Sequence, residues 1–177
     1  MDAFWDDGDG PGTVRHLIAA EPWDAVRLEA FYTLKPEELA AYAGRFHERV
    51  ASRGARLVLY AAPAARAQAW PDAHRAFQES VNALGASLGA PVAPAVGAYL
   101  SALGPAPAPE QMSALYNDWI HATERGNYLI ACCLYAAITG CSPVGLPCHA
   151  GLPEAEARRY QEAAWQAVLA ANPGFAP

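Results

Sequence analysis

Asp118 and His121 stand three residues apart in the stretch Leu115-Tyr116-Asn117-Asp118-Trp119-Ile120-His121, which runs into Gly126-Asn127-Tyr128-Leu129-Ile130-Ala131. A carboxylate that accepts the N–H of an imidazole fixes its tautomer and stabilises its protonated form. The other ring nitrogen is then free to take a proton from a hydroxyl. The pair is therefore read as a general base, His121, with its orienting carboxylate, Asp118. The competing reading is a loop in which Asp118 caps the following helix and His121 packs on Trp119. Tyr116 precedes the pair and Trp119 lies inside it; both are expected to contact a substrate, Trp119 as a pocket wall.

A base of this kind needs something to deprotonate. The serines are Ser52, Ser80, Ser87, Ser101, Ser113 and Ser142, and none lies in the Gly-x-Ser-x-Gly elbow that exposes a hydroxyl between strand and helix. Ser142, in Gly140-Cys141-Ser142-Pro143, comes closest but follows a helix. Cys132 and Cys133 fall about three turns beyond His121, too far along the helix for attack unless the loop folds back. Water is the remaining hydroxyl. Loss of a serine nucleophile typically costs about 10⁶ in turnover yet leaves roughly 10³ to 10⁴ over the uncatalysed rate.

Other chemistry-bearing residues give weaker signals. Cys141, Cys148 and His149 could contribute to a zinc site, but buried thiols are the simpler reading of the cysteines, and no metal or other cofactor is called for. A Cys141–Cys148 disulfide across the Pro-containing loop is another option. His47 and His74 fall on helices beside Glu48 and Arg75 and are expected at the surface.

The elements that must position the pair follow from periodicity. Val14, Leu17 and Ile18 have helical spacing after Thr13, a good N-cap. Ala25 to Phe31 alternates like a strand. Lys35-Pro36-Glu37-Glu38 opens a helix whose Leu39, Tyr42, Phe46 and Val50 form one apolar face, ending near Gly54. Arg56 to Ala61 is a continuous apolar run suited to a strand buried on both faces. Pro71 to Leu88 reads as a helix with Ala73, Phe77, Val81, Leu84 and Leu88 on its apolar side. Gly89 to Val96 is a third strand, kept short by Pro91 and Pro94. Gly104 to Pro109 is a stiff loop, Glu124 to Thr139 an apolar helix ended by Gly140, and Pro153 to Ala171 a final amphipathic helix. Alternating strand and helix implies right-handed parallel crossovers and a three-layer α/β/α sandwich with a short parallel sheet.

Composition narrows the function classes. A chain of 177 residues suits one domain, residues 1–177. Its formal net charge is −6, with only 12 Lys and Arg, scattered rather than striped, which argues against a nucleic-acid partner. No run of about 18 apolar residues is present, so no membrane span is expected. The start, Met1 to Asp7, is acidic and lacks the basic and apolar parts of a secretory signal, which points to the cytoplasm or to a secreted chain whose export signal has been removed.

The strings Tyr116 to His121, Gly126 to Leu129 and Leu134 to Pro143 together resemble the C-terminal part of bacterial SGNH/GDSL hydrolases, in which an Asp-x-x-His loop precedes a helix. Pro22-Trp23-Asp24-Ala25-Val26-Arg27-Leu28-Glu29 is similar to the strand after that family's second block. The resemblance covers about Trp23 to Ala171. It implies a flavodoxin-like topology, hydrolysis of carboxylic ester bonds in a small or polymeric substrate, and catalytic roles for Asp118 and His121. The family's Gly-Asp-Ser turn is not found: the nearest text is Gly8-Asp9-Gly10-Pro11-Gly12, with glycine where serine would stand. Its Gly-x-Asn-Asp block is replaced by Glu29-Ala30-Phe31. Residues 1–22 are atypical, and the topology is expected to lack the family's first strands. The alternative is a degenerate or truncated homologue that binds a ligand or partner without chemistry. In that case the strand at Ala25 is a sheet edge inviting a homodimer.

Overall fold

The computed structural model describes residues 8–63 and 69–175; Trp5 and the acidic start lie outside them. Seven helices and three strands are described, in the order α1 (Val14–Ala20), β1 (Ala25–Ala30), α2 (Pro36–Ala51), β2 (Arg56–Ala61), α3 (Asp72–Leu88), β3 (Val92–Ala93), α4 (Ala95–Leu103), α5 (Pro109–Leu115), α6 (Glu124–Thr139) and α7 (Glu154–Ala171). The result is an α/β sandwich around a short parallel sheet of order β1-β2-β3.

Local chemistry explains most of these boundaries. Thr13 caps α1, its hydroxyl accepting the His16 N–H. Pro36 occupies the first turn of α2, where its missing N–H costs nothing, and Glu38 accepts the Lys35 N–H at 3.4 Å. The left-handed Gly140 ends α6.

β2 is the sheet's centre, paired in parallel with β1 from Ala25↔Arg56 to Ala30↔Ala61 and with β3 at Leu59↔Val92 and Tyr60↔Ala93. Its side chains alternate between two cores. Leu57, Leu59 and Ala61 pack with Phe46 and Val50 of α2 and Val81 of α3. Val58 and Tyr60 point the other way, into a cluster that includes Ala137 of α6. A third cluster joins α4, α5, α6 and α7 through Tyr99, Leu115, Leu129 and Trp165. The helices thus cover both faces of the sheet.

The third strand is two residues long, because Pro91 and Pro94 bracket it. Its outer edge is closed by a side chain. Asn172, at the end of α7, accepts the Val92 N–H at 2.8 Å and donates to the Val92 carbonyl at 2.9 Å, as a neighbouring strand would. β1 has no such cover among the described residues, so the sequence expectation of an edge strand there agrees with the sheet order.

Two expectations require correction. His74 is not at the surface: α3 turns His74, Gln78 and Val81 inward, and the His74 ring lies 4.7 Å from that of Trp70. Gln78 is drawn in because its Oε1 accepts the Gly97 N–H of α4 at 3.0 Å. Helix α5 also begins at Pro109, where the sequence suggested loop, with the Gln111 side chain accepting the Ala108 N–H at 2.8 Å.

Candidate active site

The Asp118–His121 loop is a seven-residue excursion closed at its base by backbone pairing. Tyr116 and Ala122 form an antiparallel bridge, and the Asn117 N–H donates to the His121 carbonyl at 2.8 Å. Below it, Thr123 N–H donates to Leu115 O at 2.9 Å and the Thr123 hydroxyl to Ala114 O at 2.6 Å. The same hydroxyl accepts the Gly126 N–H, so Thr123, not Asp118, caps α6. Gly126 is required by proximity: a Cβ there would overlap the Tyr99 hydroxyl and the Leu115 carbonyl, holding α6 away from the loop.

With the cap supplied by Thr123, Asp118 is available for the loop and the imidazole. One carboxylate oxygen, Oδ1, accepts the N–H groups of Ile120 and His121, both at 2.8 Å. The other, Oδ2, lies 2.7 Å from His121 Nδ1. The Ile120 amide, then the His121 amide, then the imidazole hold the Asp118 carboxyl well below the usual carboxylate range. An ionised carboxylate only accepts, so Nδ1 carries a proton, and in the neutral form of the ring the lone pair is on Nε2. The His121 side chain is 77% exposed, which leaves Nε2 open to a reactant.

The two aromatics separate. Tyr116 is buried, its ring edge-on to Tyr99 with centroids 5.1 Å apart. It therefore anchors the loop from inside and is not placed to touch a substrate. Burial of its hydroxyl raises the phenol's pKa, with Tyr60 adding to the effect. Trp119 is 72% exposed and lines none of the described cavities. It also shares no ring contact with His121 among the described residues.

A polar cleft of about 550 Å³ lies at the base of the loop, bordered by Asn117, Ala122, Thr123, Arg125 and Asn127 and by the turn Gly151–Pro153. Arg125 is held there by Glu156 at 2.7 Å, a pairing that raises the guanidinium pKa and lowers that of the carboxyl. Asn117, Arg125 and Asn127 were not singled out from sequence. Their nearness to the motif was the available signal, but the turn that completes the cleft comes from about thirty residues further on.

Set against known proteins, the chain matches no protein-family model, no curated protein and no solved structure.

The remaining candidates are placed as follows. The hydroxyls of Ser52, Ser80, Ser87 and Ser113 donate to carbonyls of their own helices or turns, and that of Ser142 accepts the Val144 N–H. Among the described residues no serine is hydrogen-bonded to His121. Cys132 and Cys133 are buried, which pushes the Cys132 thiol up to about 11 and raises that of Cys133 further, so neither is a thiolate at neutral pH. Cys141 and Cys148 are free thiols, with no disulfide between them. Among the described residues no three His, Cys, Asp or Glu side chains, Cys141, Cys148 and His149 included, converge on a metal position. No described helix is long and apolar enough to cross a membrane.

Proposed function

We propose that the chain is a hydrolase of carboxylic ester bonds, of SGNH/GDSL-like descent, with His121 as general base and Asp118 as its positioning carboxylate. What carries the reading is the 2.7 Å contact from Asp118 Oδ2 to His121 Nδ1, on a carboxylate whose other oxygen is already fixed by two backbone amides. The attacking hydroxyl in this reading is water. As its oxygen bonds to the ester carbonyl carbon, His121 Nε2 takes the proton. The acyl carbon–oxygen bond then breaks, and the imidazolium returns the proton to the departing alkoxide. Asp118 holds the ring in place and stabilises its charged form between the two transfers.

The test is turnover of p-nitrophenyl acetate by the purified chain and by His121→Ala. A general base contributes about 10²- to 10⁴-fold, and the variant is expected to lose that much. Equal rates would remove the hydrolase reading. Fluorophosphonate treatment followed by peptide mapping distinguishes the routes, since a tagged serine would replace water with a covalent nucleophile.

A second reading is favoured by one further observation. Beside the uncovered edge of β1, Leu17 and Trp23 are half exposed and border an apolar groove of about 270 Å³ with Val14 and Val26. An unpaired strand edge flanked by apolar side chains is a pairing surface, and a second copy of the chain is the partner this reading assigns to it. It is compatible with hydrolysis at the Asp118 loop. It becomes the main function if the chain turns over no ester.

A further inference from the structure

A cavity of about 530 Å³ lies between α6 and the 146–150 segment, lined by Tyr128, Ala131, Cys132, Tyr135, Leu146 and Cys148. Its walls are mostly apolar, and one polar side chain in them, Tyr128, is engaged on both sides. The Tyr128 hydroxyl donates to the Cys148 carbonyl at 3.0 Å and accepts from Gln161 Nε2 at 2.8 Å.

The outer wall is held in shape from beneath. Gln161 of α7 is 1% exposed, and its Oε1 accepts the Gly145 N–H at 2.8 Å while Nε2 also donates to Leu146 O at 3.1 Å. A fully buried amide is thus committed to fixing the segment that faces α6. Ala150, in the same wall, sits at φ 50°, a backbone region that alanine rarely adopts without surrounding constraint. Such an arrangement keeps the cavity open where a slack loop would collapse on the apolar face of α6.

The cavity adjoins the polar cleft at the base of the Asp118–His121 loop, since Glu124 and Asn127 line both. From Asn117 and Ala122 at the base of the loop, across Asn127, to Cys132 and Leu146, the path along these adjoining walls turns from polar to mostly apolar. We infer that this path binds a neutral ester with a straight apolar acyl chain, its carbonyl at the His121 end and its chain in the cavity along α6. The inference rests on the hydrolase reading for the orientation of the ester, whereas occupancy of the cavity by the chain can be read without catalysis.

Two measurements on the intact chain separate these points. The first is kcat/KM for p-nitrophenyl esters lengthened from acetate to octanoate. Each methylene taken into the cavity is expected to raise it about threefold to fourfold. Ala131→Trp, which places an indole into the cavity from an exposed helix position, is expected to remove most of the octanoate-over-acetate preference. The second is alkylation by N-ethylmaleimide with and without 1-octanol, read by peptide mapping. Cys148 lines the cavity and is expected to be protected, while the exposed Cys141, which does not line it, reacts at an unchanged rate. Ester turnover without chain-length preference and without protection of Cys148 would overturn the inference while the hydrolase reading stands. Protection of Cys148 in a chain that turns over no ester would sink the hydrolase reading and uphold the cavity.

Discussion

At the scale of single residues, Asp118 does two jobs with two oxygens. Oδ1 ties down the loop and Oδ2 aligns the imidazole, so replacing it disturbs both. The sign of its pH dependence follows from its depressed pKa. Ionised Asp118 contributes stability that is fully present above the ordinary carboxylate value of about 4 and is lost as the pH falls through the lower folded value. Thermal unfolding of the chain and of Asp118→Asn, followed against pH, should therefore show a gap at neutral pH that closes only on acidification below about 4. A gap that is constant through the acid range would mean that the carboxylate does not hold the loop. The spacing of Asp118 and His121 was legible in the sequence because an i, i+3 pair in a short loop must lie close. The fate of Tyr116 was not. An aromatic two residues before the carboxylate reads as a site residue, and only its packing on Tyr99, itself from a distant helix, shows that it faces inward.

At the scale of elements, the loop depends on how closely α6 approaches it. Gly126 allows that approach, and Gly126→Ala is expected to cost about 1–3 kcal/mol by overpacking against Tyr99 and Leu115. It should also lower ester turnover, since a displacement of about 1 Å in a catalytic group can cost about 10²-fold. Urea unfolding and turnover measured on the same sample would check both, and an unchanged midpoint would contradict the packing account. At the other end of the sheet, Asn172 stands in for a strand. Asn172→Ala leaves the Val92 amide and carbonyl without their partner and is expected to destabilise by about 2–4 kcal/mol in urea unfolding. Elements with a strong local signal were readable in advance. β2 is one continuous apolar run, and α7 carries Ala157, Tyr160, Ala164, Trp165 and Val168 at helical spacing, all of them buried. What local pattern could not give was the inward face of α3, set by the Gln78 contact with α4, or the Asn172 cap on β3, which joins residues eighty apart.

At the scale of the whole molecule, the sheet is, among the described residues, closed on one side and open on the other. Asn172 covers β3, while β1 presents its outer edge beside Leu17 and Trp23. Sedimentation of the chain at micromolar concentration is expected to give a dimer that Trp23→Arg weakens; a stable monomer would argue against pairing through β1. Elsewhere in the fold, α5, α6 and the turn before α7 bring the Asp118–His121 loop, a polar cleft and an apolar cavity close together. If Asp118 acts only through His121, the two cannot contribute independently. The decisive measurement is kcat/KM for ester hydrolysis by the unaltered chain, Asp118→Asn, His121→Ala and the double variant. A large loss is expected in each single variant, and no further loss in the double variant beyond that of His121→Ala, the mark of a pair that acts as a unit. Four equal rates, or losses that multiply, would contradict it.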